Sequence, residues 1–241
     1  MSKLLQAQGV NAFYGSAQVL FDLSLELRRG EVVALMGRNG AGKSTTLKAL
    51  MGLLPATQAT VHFMQADISA WPAYQRARAG LAYVPEDRRV FGDLTVLENL
   101  ATGRQAARSW PDGSAAPHWN VEALFDLFPN LAERQEQAAG KMSGGEQQML
   151  TIARSLMGNP YALLLDEPSE GVAPVIVEQM VGMIQRLKQH GVSILLSEQN
   201  LQFAALLADR VYVLDRGQCC FAGSMQHLLQ TEQVLREHLH L

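Results

Sequence analysis

The chain has 241 residues, 48% apolar and 18% charged, with a formal net charge of −3. It is long enough to bury a real core, and its composition is that of an ordinary soluble globular protein. The slight acidity argues against nucleic acid as a partner, because phosphate contacts need an excess of Lys and Arg.

The N-terminus, MSKLLQAQGV, lacks a long apolar core followed by a small-residue cleavage site, so no signal peptide is expected. Nor does any charge-free run approach the roughly 18 apolar residues of a membrane span. Leu4–Phe13 and Ser24–Leu27 read as strands, the latter by alternation of Leu25 and Leu27 with polar neighbours. Glu31–Met36 is a short buried strand that runs into a Gly-rich loop and the helical pattern of Lys43–Leu53. Leu81–Val84, Tyr161–Leu165, Ser193–Leu196 and Val211–Leu214 are further apolar runs, of the kind found in parallel sheets buried on both faces. Between Thr95 and Leu156 the pattern turns helical. Thr95-x-x-Glu98 and Ser143-x-x-Glu146 have capping-box spacing. Met149, Ile152, Ala153 and Leu156 then recur at helical intervals, as do Val177, Met180, Val181, Ile184 and Leu187. Ser109–Asn120, with its Pro and Gly, reads as a mobile loop. Cys219 and Cys220 are adjacent and read as reduced thiols in a strand. His238 and His240 read as part of a solvated tail, and the six histidines form no metal cluster.

Two motifs carry chemistry. Gly37-Arg38-Asn39-Gly40-Ala41-Gly42-Lys43-Ser44 matches the phosphate loop G-x-x-x-x-G-K-[ST] at every fixed position, with a strand before it and a helix after. Such glycines let backbone N–H groups turn toward an anion, and the helix start adds a positive dipole end. Lys43 can reach the β- and γ-phosphates of a nucleotide. Ser44, or its neighbour Thr45, can offer a hydroxyl to Mg²⁺, and the spacing selects Ser44. By itself the loop is compatible with a kinase, a GTPase or an ATPase. Leu163–Pro168, LLLDEP, sets two carboxylates at a strand end. Asp166 suits a Mg²⁺ ligand, and Glu167 suits a general base for an attacking water. A guanine-reading N-K-x-D segment is lacking, which disfavours the GTPase.

The phosphate loop, then SGGEQQ, then LLLDEP in that order resembles the nucleotide-binding subunit of an ABC transporter, and the resemblance spans essentially the whole chain. It implies an α/β fold: a P-loop NTPase (RecA-like) core with an N-terminal antiparallel β subdomain and an inserted α-helical subdomain near residues 95–157, within one domain over 1–241. It implies ATP and Mg²⁺ as ligands, with Tyr14 stacking on adenine. It also implies a head-to-tail dimer in which Ser143, Gly144, Gly145 and the capping Glu146 meet the nucleotide on the partner's phosphate loop. Glu86, which could reach the metal through water, stands where most members carry the glutamine of the loop joining core to helical lobe, Gln199 where a histidine usually contacts the γ-phosphate, and Ala173 where an aspartate often ends the loop. Together with VPE-x-RRVF, DEPS-x-G-x-AP and EQN, these departures resemble one branch, the shorter ATPase subunit of branched-chain amino-acid importers. Urea and short-chain amide importers are close relatives, and Ser169-Glu170-Gly171 leans their way.

The implied partners are integral membrane permease subunits, a second copy or a sister ATPase and, indirectly, a periplasmic solute-binding protein. The implied place is peripheral, on the cytoplasmic face of the inner membrane. Arg88, Arg89, Val90 and Phe91 are candidates for the permease-docking surface. Two other classes compete: a soluble ABC ATPase acting on DNA or ribosomes, and a small-molecule P-loop kinase. The first usually brings two cassettes or a long coiled coil. The second does not need a Ser-Gly-Gly segment ahead of a helix.

Overall fold

A computed structural model describes residues 3–54 and 59–239. Lys3–Tyr14 (β1) and Ala17–Arg28 (β2) form a long antiparallel hairpin whose Leu5, Ala7, Leu25 and Leu27 turn inward. The first half of β2 is less plain in sequence because bulges interrupt its alternation with β1. Val32–Met36 (β3) leads through the phosphate loop into Lys43–Leu50 (α1). Thr60–Phe63 (β4) and Ala66–Asp67 (β5) then complete an antiparallel sheet of order β2-β1-β4-β5.

Ala73–Arg78 (α2) precedes Leu81–Val84 (β6), and a helical stretch follows: Val96–Thr102 (α3), Val121–Leu127 (α4), Pro129–Ala132 (α5) and Gly144–Leu156 (α6). Both capping boxes form, with Thr95 and Ser143 as N-caps answered by Glu98 and Glu146. The chain returns through Ala162–Asp166 (β7), Pro174–Gln189 (α7), Ser193–Glu198 (β8), Leu201–Ala205 (α8), Arg210–Asp215 (β9) and Gln218–Ser224 (β10). It ends with Met225–Gln230 (α9), Glu232–Val234 (α10) and a π-turn over Leu235–Leu239.

The second sheet has the order β10-β9-β3-β8-β7-β6. Its five strands β9, β3, β8, β7 and β6 pair in parallel, and β10 is an antiparallel edge. Alternation in the central strands feeds two cores. Val33, Leu35, Leu164 and Leu195 join the antiparallel sheet and α1, whereas Val32, Leu163, Leu165, Ile194 and Leu196 join α3, α6 and α7. Burial on both faces is why these strands read as continuous apolar runs. None of the described helices is long and apolar enough to cross a membrane.

Two sequence expectations change. The loop 109–120 is irregular but pinned: Trp110 and Trp119 are buried, Tyr161 donates to the Ser109 carbonyl at 2.6 Å, and the Trp119 amide donates to Asn159 Oδ1 at 2.7 Å. The C-terminal segment is not a solvated tail either. Val234, Leu235 and Leu239 pack on the core beside β3 and β9, and His238 meets Asp215 at 3.2 Å. His240 lies outside the described residues.

Candidate nucleotide site

The site is built where three parallel strands end. β3 delivers the phosphate loop, β7 delivers Asp166 and Glu167, and β8 lies between them and supplies Ser197. Gly42, the N-cap of α1, has φ 105°, and a Cβ there would meet Leu20 Cδ2 at 2.7 Å. The β1–β2 hairpin therefore presses directly on the loop, and only glycine permits it. Lys43 is almost fully buried. Its ammonium donates to the carbonyls of Gly37 at 2.8 Å and Arg38 at 3.0 Å and pairs with Glu167 Oε1 at 3.1 Å. The first amides of α1 have no partners within the helix, which suits them to phosphate oxygens. Arg38 reaches away from the loop and donates to the Glu237 carbonyl at 3.0 Å, so the C-terminal segment abuts the phosphate loop.

Asp166 is buried and saturated with donors. Oδ1 accepts from Ser44 at 2.9 Å and Ser197 at 2.8 Å, and Oδ2 accepts from the Tyr83 hydroxyl at 2.9 Å. Burial and the Asp166 carboxylate push the Tyr83 phenol well above its ordinary range, so it remains a donor. Sequence pattern hid both Tyr83 and Ser197, because each sits inside an apolar strand run and meets Asp166 only through strand pairing. Ser44 beside Asp166 is a hard-oxygen pair of the kind Mg²⁺ takes up together with nucleotide oxygens. No cluster of three or more His, Cys, Asp or Glu suited to a metal exists among the described residues, so the donor set fits a nucleotide-borne ion rather than a protein-caged one.

Glu167 follows at φ 45°, a left-handed backbone rare for a residue with a side chain, and its amide donates to the Ser197 carbonyl at 3.0 Å. That geometry turns the carboxylate to Lys43. Its other oxygen, Oε2, is buried without a hydrogen-bond partner. Glu170 lies against it. The shared contact with Glu167, burial and the charges of Glu167 and Glu86 raise the Glu170 carboxyl to about 7, opposed by Lys43. Gln199, exposed at the end of β8, reaches Glu170 at 3.5 Å. Glu198 beside it is buried, with its carboxyl raised by desolvation and held by the amides of Ser169, Gln199 and Asn200 at 3.2 Å each. Sequence reading passed over both Glu170 and Glu198 as site members.

The other expected residues stand farther out. Glu86 is exposed, and its charge acts on Glu170, but no hydrogen bond or ion pair joins it to Ser44 or Asp166 among the described residues. Tyr14 is 47% exposed at the hairpin tip, with its ring free for stacking. Ala173, with no side chain to cap α7, is followed by Pro174 at the first helical position. Ser143 is exposed, and its hydroxyl accepts from the Glu146 amide at 3.3 Å, while Glu146 also pairs with Arg134 at 3.2 Å. Within one chain no hydrogen bond or ion pair links Ser143, Gly144 or Gly145 to the phosphate loop among the described residues.

The basic turn after β6 divides. Arg89 and Phe91 face outward, Val90 packs against the helical core, and Arg88 turns inward to the Gly171 carbonyl. Arg88 and Val90 are thus not the open docking surface their sequence suggests. Phe91 borders a groove of about 540 Å³ with Leu53, Tyr83 and Arg154, and the Arg154 guanidinium stacks 4.9 Å from its ring. Arg154 also donates to the Arg89 carbonyl, and buried Asn99 binds both the amide and the carbonyl of Phe91.

Known proteins are similar to this chain in sequence and fold. The ABC transporter family profile matches residues 20–170. The chain is 42% identical to the high-affinity branched-chain amino acid transport ATP-binding protein BraG of Pseudomonas aeruginosa, over 98% of this chain and 99% of that one. It is 32% identical to the lipopolysaccharide export system ATP-binding protein LptB of Acidithiobacillus ferridurans, over 99% of this chain and 98% of that one. Among solved structures it is similar to an ATP-binding cassette of an ABC transporter in its ADP conformation, with TM-score 0.81 and 26% identity over 98% of each chain.

Proposed function

The chain belongs to the ABC transporter family, as an ATP-hydrolysing subunit, and from that premise we propose that it powers an importer of branched-chain or other hydrophobic amino acids. The 42% identity to a branched-chain amino acid transport subunit along nearly the full length of both chains carries this reading. Export of lipopolysaccharide has weaker support, at 32%.

The proposed mechanism assigns roles by position. Amides of Gly40–Thr45 and the Lys43 ammonium hold the phosphates, the ammonium exchanging its loop carbonyls for phosphate oxygens. Tyr14 stacks on the adenine. Ser44 and Asp166 would hold Mg²⁺, with Tyr83 and Ser197 fixing the carboxylate and Glu86, from the turn after β6, the expected third contributor. Bound Mg²⁺ supplies charge neutralisation on the phosphates. Glu167 takes a proton from the attacking water, and Gln199 donates one hydrogen bond to the γ-phosphate. Ser143, the first amides of α6 and the capping Glu146 complete the site on a second subunit, with the α6 dipole directed at the phosphate. That second subunit is another copy or a sister ATPase. The pair sits peripherally on the cytoplasmic face of permease subunits that receive solute from a binding protein, with the Phe91 groove toward the permease.

A single variant tests both the chemistry and the solute. Cells whose only copy carries Glu167→Gln should lose uptake of trace labelled leucine while uptake of labelled urea stays unchanged. The purified variant should elute as a dimer in ATP. Intact leucine uptake would refute the assignment, and selective loss of urea uptake would move it to the amide importers.

A further inference from the structure

Both glycines of the Ser143 segment have close neighbours inside the chain. A methyl group on Gly145 would meet Ile176 Cγ1 at 2.9 Å, and one on Gly144 would overlap the Arg88 guanidinium. The cap of α6 does not require this, because Ser143 and Glu146 already satisfy each other. Arg88 itself has φ 47°, left-handed backbone that a side-chain-bearing residue holds only when its surroundings impose it. Its Nη2 donates to the carbonyls of Gly171 at 3.1 Å and Glu170 at 3.4 Å, in the loop that leaves Glu167. A positive group beside a helix start gains nothing from the dipole, so the two carbonyls account for its placement. One rigid fork therefore touches three segments: the turn after β6, the bare start of α6 and the loop beyond β7.

We propose that Arg88 is a positioning residue for hydrolysis, one that sets the Ser143 end of α6 against the loop carrying Glu167. The inference rests on the head-to-tail reading above. There, each chain gives Glu167 to one nucleotide and Ser143 to the other. The Arg88 bridge then joins the two nucleotide sites through a single subunit.

The test is run on the full chain, following ATP turnover, affinity for a non-hydrolysable ATP analogue and thermal melting. Arg88→Ala should lower kcat about tenfold or more, with analogue affinity within about threefold of wild type. Arg88→Lys, which keeps a charged donor on a long stem, should recover part of the loss. Wild-type turnover in Arg88→Ala, or a turnover loss matched by an equal loss of analogue affinity, would overturn the proposal. Ser143→Arg, assayed in parallel, separates the two readings. If it hydrolyses normally, the head-to-tail reading fails and this one with it. If it is inactive while Arg88→Ala is normal, only the Arg88 assignment falls.

Discussion

Glu167 Oε2 is buried without a hydrogen-bond partner and the Glu170 carboxyl lies against Glu167, so these two carboxyls act as a pair. Glu167 is the residue that LLLDEP makes conspicuous. Glu170 enters the sequence reading only as a pointer to the amide importers, and the left-handed turn at Glu167 brings it back onto the site. The Glu170 carboxyl is raised from 4.5 to about 7, chiefly by its contact with Glu167. Raised in the folded state, it binds its proton more tightly there than in the unfolded chain. Stability is therefore present below about pH 4.5 and is lost as pH climbs to about 7. Glu170→Gln keeps a donor to Glu167 and removes the titration. Without nucleotide, the melting temperature of the variant relative to wild type should rise progressively across that window and level off above it. A difference that does not vary with pH would mean the two carboxyls are not coupled. Glu86, Glu167 and Lys43 also face Glu170, and all three are retained in the comparison.

Elements were legible where one physical rule sufficed. The two capping boxes, the apolar strands of the parallel sheet and the phosphate loop follow from local spacing alone. β4 and β5 escaped because they are short and partly exposed, and β4 pairs with β1, far away in sequence. The segment around Trp110 shows the opposite error, since Gly, Pro and Ser suggested mobility where aromatic burial prevents it. Trp110 stacks on Tyr161 at 4.7 Å with the Arg29 guanidinium 3.9 Å over its ring, fastening the loop to the core beneath the antiparallel sheet. Trp110→Ala should cost about 3 kcal/mol, the lower part of the range for deleting a buried aromatic. It should appear as a lower urea midpoint with an unchanged slope. A shift below about 0.5 kcal/mol, ordinary for a surface substitution, would restore the mobile loop.

At the scale of the whole molecule, each chain of the proposed head-to-tail dimer carries two halves of a site. Ser44, Asp166 and Glu167 converge within one chain, whereas Ser143 is exposed on α6 and bonded only to its own cap. Motif order suggests both halves, but no pattern within one sequence says where a second copy sits. A two-fold dimer must use each half twice, once in each site. Lys43→Ala destroys the phosphate-loop half and Ser143→Arg the other half, so each variant alone should be inactive. Mixed in equal amounts, half of the dimers would be heterologous. Each of those would hold one site with an intact Lys43 from one chain and an intact Ser143 from the other. Turnover should then return to about a quarter of the wild-type rate if pairing is random and the sites act independently. Mixing that restores nothing, with both variants folded and the Ser143→Arg chain still binding ATP, would exclude a working dimer of identical chains. The complementary Ser143 segment would then have to come from a different ATPase subunit.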